Sequence, residues 1–167
     1  LLVETVSDEV ILLESGCVCC SVRGDLVTAL RDLFLKRVRG DVPDFDRVVI
    51  ETTGLADPAP IVHTLISDPL IANRYRLDGI VCVVDAVNGP DELDQHPESV
   101  KQVAVADRLV LSKTDLADAG DVAKLKARLY NLNPRARVAV AAHGGLEPAE
   151  VLNAGLFRGA PLPDLAG

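Results

Sequence analysis

Three runs constrain the fold of this chain more than anything else in it: "LDGIVCVVDA" (77–86), "DRLVLSKTD" (107–115) and "RARVAVAAHGG" (135–145). Each carries a continuous stretch of Val, Leu, Ile or Ala and then turns polar or glycine-rich. A strand apolar at every position is buried on both faces, which occurs mainly in parallel sheets covered by helices. Segments with helical spacing separate these runs, "PESVKQVAVA" (97–106) and "VAKLKARLYNLN" (122–133). The alternation extends upstream, where "EVILLE" (9–14) and "DRVVIETT" (46–53) read as strands and "DLVTALRDLFLKRVRG" (25–40) and "DPAPIVHTLIS" (57–67) as helices. In the 25–40 helix, Leu26, Leu30, Leu33 and Val38 fall near one face, Asp25 caps the start and Gly40 ends it. The prolines of the second helix suit a first turn, and "EPAEVLNAG" near the end reads as a last short helix. The expected fold class is therefore α/β, a three-layer, mostly parallel, doubly wound sheet. With no internal repeat and no linker, residues 1–167 read as a single domain.

Composition excludes several functions. A formal net charge of -8 opposes a phosphate-backbone binder, which needs a basic face. Aromatic residues make up 3% of the chain, too few for a base-stacking platform. Neither nucleic acid nor a membrane is an expected partner, since no apolar run reaches the length of a membrane span. The chain contains four cysteines, three of them clustered. That pattern suits metal or redox chemistry in a reducing compartment better than a disulfide scaffold, and the expected location is cytoplasmic.

In open parallel sheets ligands bind at the carboxyl ends of the strands, and the polar residues cluster there. Glu51 and Gly54 follow the "VVI" run. An acid at such a point can hold Mg²⁺ through water, and a glycine lets a backbone amide approach a terminal phosphate closely. A strand-end acid beside a loop glycine also occurs without any ligand. Asp85 ends its run and by itself proves nothing. In "SKTD", Asp115 can accept two hydrogen bonds from a guanine edge while Lys113 lies along the base, and Ser112 leaves the loop that supports the base site looser.

The stretch "ESGCVCCSVRGDL" (14–26) raises a separate question. Cys17, Cys19 and Cys20 can place three thiolates around one soft ion such as Zn²⁺ or Cu(I), leaving a fourth position open. The same residues could instead form a local disulfide on oxidation or pack as small loop residues. Cys82, inside an apolar strand, reads as core. The histidines at 63, 96 and 143 lack metalloprotease spacing and read as structural, His63 on a helix and the other two in loops.

Taken together, "GCVCCSVRGDL", "RVVIETTGLADPAP" and "ADRLVLSKTDL", in that order and supported by "YRLDGIVCVVDA" and "LYNLNPRA", resemble the CobW family of GTPases. These are metal-chaperone relatives of the hydrogenase and urease nickel-insertion GTPases. The resemblance implies a P-loop GTPase fold that binds GTP with Mg²⁺ and carries zinc, with cobalt for a cobalamin pathway as an alternative. By the same resemblance Glu51 and Gly54 sense Mg²⁺ and the terminal phosphate. Ser112, Lys113 and Asp115 select guanine, and Cys17, Cys19 and Cys20 bind the metal for a client protein.

The sequence departs from that family in places. It opens "LLVETVSDEV" like the middle of a domain, and no Gly-x-x-x-x-Gly-Lys-[Ser/Thr] loop occurs. The expectation is a domain lacking its first strand, phosphate loop and first helix, without the smaller C-terminal CobW domain, and inactive in GTP hydrolysis alone. A non-catalytic metal-binding or partner-binding module is the alternative, and an exposed sheet edge makes self-association a possible outcome. Asn88 stands where relatives carry a His after Val-Asp-Ala.

Overall fold

The apolar runs at 77–86, 107–115 and 135–145 form parallel strands in register, as expected. The computed structural model describes residues 21–52, 54–143 and 145–152, with the side chains of 21–23 excepted. Within it β1 (Val81–Asp85), β2 (Arg108–Ser112) and β3 (Arg137–Ala141) form a parallel sheet in that order. The described residues fall into two compact units, one built of residues up to Ile50 with Ala59–Arg76, the other of Glu51–Pro58 and everything from Leu77 onward.

The second unit holds the sheet. Three helices, α4 (Gly89–Gln95), α5 (Pro97–Val105) and α6 (Ala119–Leu132), cover one face of it. Cys82 and Val84 on β1 and Leu109 and Leu111 on β2 pack there against Leu93, Val103, Leu125 and Leu129. Leu109, Leu111 and Leu129 are wholly buried. Burying an aliphatic side chain of this size contributes about 1.5–3 kcal/mol, so this cluster is what fixes the sheet. Gly89 lets α4 start directly on β1, because a β-carbon there would lie 2.8 Å from Val84 Cγ1. Asn133 closes the far side. Its amide donates to the carbonyls of Val103, Ala104 and Ala106 at 2.9, 3.3 and 2.8 Å, and its oxygen accepts from the Arg135 and Ala136 amides. That bond set ties the end of α5 to the turn after α6 and gives "LYNLNPRA" its physical meaning. A short helix, α7 (Pro148–Val151), follows β3.

The first unit is built of helices. α1 (Ser21–Arg39), α2 (Pro58–Ser67, whose first residue belongs to the other unit) and α3 (Pro69–Ala72) surround a small core of Leu26, Leu30 and Ile71. Gly40 ends α1 as expected. At φ 76° its amide bonds to Arg37 O while Asp41 N bonds to Lys36 O, a paired reverse turn that satisfies the last carbonyls of the helix.

Three expectations are corrected. Asp25 does not cap α1, because the helix already runs from Ser21 and places Asp25 in its second turn. Val38 leaves the apolar face and is exposed, where the last turn of α1 presents Arg37 to Phe45 and Asp44 instead. The strand expected at 46–53 is not seen: among the described residues, 47–52 belong to no strand, and Val49 is 81% exposed. A strand exists only with a partner for its backbone groups, and no described residue supplies one. The "EVILLE" strand lies outside the described residues.

Candidate functional site

The register of the sheet sets Asp85, Ser112 and Ala141 in one row across its carboxyl end. The residues that follow are the ones singled out from sequence, together with some that were not. Ser112 closes β2. Its hydroxyl bonds to Val84 O at 3.3 Å and its carbonyl accepts from Ala86 N at 2.9 Å, so it links the two strand ends. Lys113 and His143 are the two non-glycine residues with positive φ among the described residues, at 56° and 51°. That conformation costs roughly 1–2 kcal/mol for an L-residue, and both instances fall in this row of loops.

Lys113 reaches back to Asp85, with Nζ 2.6 Å from Oδ2. The other oxygen of Asp85 accepts from the amides of Val87 and Asn88 at 2.7 and 3.2 Å, and Asn88 Nδ2 donates to Oδ2 at 3.2 Å. Burial works against ionisation of Asp85, but the Lys113 ammonium and the two amides outweigh it and hold the carboxyl below its usual range. Reciprocally, the hydrogen bond and charge of Asp85 raise the Lys113 pKa. Asp85 thus joins the strand-end group, although sequence reasoning passed over it. Its signal was available, an acid ending an apolar strand just as Glu51 was expected to end another.

Asp115 lies in the loop after β2 with its side chain 20% exposed. Its oxygens face His143, from Nδ1 at 3.1 Å and from the backbone amide at 3.4 Å. The turn carrying His143 is closed by Gly145 N bonding to Ala142 O at 2.9 Å. A carboxylate has about four acceptor positions, so Asp115 retains capacity for a further pair of donors. His143 read from sequence as structural; its approach to Asp115 spans 28 residues and has no local signature.

The segment 51–58 is held differently. Glu51 is exposed and outside any strand among the described residues, and Gly54 sits in a turn. No left-handed φ and no neighbouring atom within 4 Å requires glycine at 54. From α5, Gln102 Nε2 donates to Gly54 O at 2.9 Å and to Ala56 O at 2.8 Å, and Lys101 Nζ lies 2.7 Å from Asp57. An open cleft of about 480 Å³ lies between the loops after β1 and β2 and α6. Its walls include Val87, Leu116, Asp118 and Arg128 but none of Asp85, Lys113 or Asp115, so it is separate from this strand-end group.

Cys17, Cys19 and Cys20 lie outside the described residues. Among the described residues no group of three or more His, Cys, Asp or Glu side chains is placed to hold a metal ion. Cys82 is buried as expected, and desolvation, aided by Glu92, pushes its thiol up to about 11. It is a core residue without thiolate character.

A family model described as CobW/HypB/UreG, nucleotide-binding domain, matches residues 1–140. Zinc chaperone YjiA of Escherichia coli is 41% identical over 145 residues, covering 87% of this chain and 45% of that protein. Zinc-regulated GTPase metalloprotein activator 1 of Schizosaccharomyces pombe is 32% identical over 152 residues, covering 90% and 36%. Zinc chaperone CobW of Pseudomonas aeruginosa is 30% identical over 171 residues, covering 89% and 44%. The crystal structure of Zn(II)-bound YjiA GTPase from E. coli matches with a TM-score of 0.69, covering 75% of this chain and 39% of that one. The chain thus spans less than half the length of each of these relatives.

Proposed function

Since the chain belongs to the CobW/HypB/UreG nucleotide-binding domain family, we propose that its protein is a GTP-dependent zinc chaperone. The observation that carries this reading is Asp115, a carboxylate at the carboxyl end of the middle strand, its side chain 20% exposed and with acceptor capacity to spare. A guanine edge offers two adjacent N–H donors to such a group. Lys113, held by Asp85, lies beside it with its aliphatic stem free to cover a ring face. Ser112 fixes the loop that carries both.

Gly54 supplies the second part. Neither its backbone nor its packing calls for glycine, whereas close approach of a terminal phosphate to its amide does. Glu51, exposed nearby in sequence, offers the hard oxygen that Mg²⁺ takes directly or through water. Bound Mg²⁺ supplies charge neutralisation on the phosphates.

The cargo is zinc in preference to cobalt, because three thiolates from Cys17, Cys19 and Cys20 suit a soft tetrahedral ion and relatives are named zinc chaperones. The open fourth position suits handover to a metal-receiving client protein. We place the protein in the cytoplasm, where such thiols stay reduced. Hydrolysis is proposed for the complete protein; residues 1–167 contain no phosphate-loop sequence and are not expected to hydrolyse GTP alone.

The test is an anaerobic zinc titration of the product of the complete open reading frame against a chromophoric chelator, in GDP and in a non-hydrolysable GTP analogue. The reading expects one zinc per chain, an affinity differing about 5-fold or more between nucleotides, and loss of the site when Cys17, Cys19 and Cys20 all become Ser. Equal zinc binding by the triple variant, or no nucleotide dependence, would overturn it.

A further inference from the structure

Gln102 sits on α5 between Lys101, which pairs with Asp57, and Val103, which is buried in the core. Its side-chain nitrogen donates to two carbonyls two residues apart, Gly54 O at 2.9 Å and Ala56 O at 2.8 Å. Both acceptors are carbonyl oxygens, so only the NH₂ end of the amide fits, and both of its hydrogens are used. Two peptide planes of the loop are thereby fixed by one side chain. The helix that supplies it is itself held, through Val103 in the core and through Asn133 on its last carbonyls.

The described residues of the loop carry no helix or strand. It forms no ladder, Leu55 is 59% exposed, and its bonds to α5 lie at or near the surface. Segments with few buried apolar contacts and solvent-accessible hydrogen bonds open locally at low cost. Gln102, with Lys101 as a second anchor, therefore decides how much of the time the backbone around Gly54 holds one geometry.

We propose that Gln102 is the positioning residue that sets the 54–57 loop to meet a terminal phosphate, making it a determinant of GTP over GDP preference. This rests on the reading of Gly54 as the phosphate-facing residue. The prediction is selective. A nucleotide that ends at the β-phosphate does not use the loop and is indifferent to Gln102. One with a third phosphate must find the loop in place.

The experiment measures affinities for GDP and for a non-hydrolysable GTP analogue in the complete protein, comparing wild type with Gln102→Ala, Gln102→Glu and Gly54→Ala. Gln102→Glu keeps the size and removes both donors, so it guards against a mere packing loss. The expected result is a fall in the GTP-analogue to GDP affinity ratio of about 5- to 30-fold in both Gln102 variants, the worth of one to two neutral hydrogen bonds. Amide exchange across 54–57 should also rise. A ratio unchanged, raised, or lowered only because both affinities fall together would overturn the proposal for Gln102. If Gly54→Ala also leaves the ratio unchanged, the phosphate-facing reading of Gly54 itself fails, and the two failures are thereby told apart.

Discussion

The strand-end group and the 51–58 loop both carry residues with the marks of a ligand site, but they are built by different means. Asp85, Lys113 and Asp115 follow strands whose backbone is paired residue for residue and whose inner faces are buried. Glu51 and Gly54 lie in a stretch with no ladder among the described residues, and Gln102 and Lys101 hold their loop from the side. The first arrangement gives a fixed station for one chemical group, a base edge under the proposed function. The second gives a segment whose geometry turns on a few side-chain bonds, as a sensor of a phosphate that comes and goes requires. Under the proposed function, recognition falls on the sheet and response on a tether.

The contrast can be broken most forcefully at the sheet. Leu129→Ala empties a wholly buried position under β1 and β2 and is expected to cost about 2–5 kcal/mol in denaturant unfolding. A cost well under 1 kcal/mol would mean that the helical layer does not hold the strand ends. Next comes Asn133→Ala, which strands buried carbonyls of Val103 and Ala106; a loss of about 1–3 kcal/mol is expected by the same measurement. Both changes should act on the two regions alike.

Smaller changes separate them. Asp85→Asn removes the charge that holds Lys113, and guanine-nucleotide affinity in the complete protein should fall about 3- to 10-fold with GTP and GDP affected equally. The change also has a pH signature. Because the folded state depresses the Asp85 pKa, its stabilisation is present above the ordinary carboxylate pKa of about 4 and fades as pH falls below it. The stability curve of Asp85→Asn should lack that slope, seen by acid titration of the unfolding midpoint. The smallest effect belongs to Lys101→Ala. Lys101 is solvent-exposed beside Asp57, so thermal stability should not move measurably, while hydrogen exchange at 55–57 should quicken.

How legible all this was in the sequence follows the same division. β1, β2 and β3 could be read because parallel strands write continuous apolar runs, even though among the described residues β1 and β3 bury one face and leave Val83 and Val140 exposed on the other. The loops after them could be placed because a parallel sheet fixes where ligand loops lie. The 46–53 run has the same composition yet forms no strand among the described residues; pairing is a property of the partner, which composition does not contain. The short helix α4 went unread because "GPDELDQ" opens like a turn, and only the close packing of Gly89 on Val84 reveals its place. Gln102 and His143 were invisible for a related reason. Their bonds span 46–48 and 28 residues, and nothing adjacent to them in sequence marks such a contact.

The claim at the centre is that Asp115 reads a guanine edge. Its most direct test is calorimetric titration of the complete protein, wild type and Asp115→Asn, with guanine and xanthine nucleoside diphosphates. Asn replaces two acceptors with one acceptor and one donor, which fits xanthine, whose edge offers one N–H and one carbonyl. The account predicts that the variant loses guanine-nucleotide affinity by about 100-fold, one charge-assisted hydrogen bond lost and the other reduced to a neutral one, and comes to prefer the xanthine nucleotide. Guanine affinity unchanged in the variant, or lost without any gain for xanthine, would contradict it.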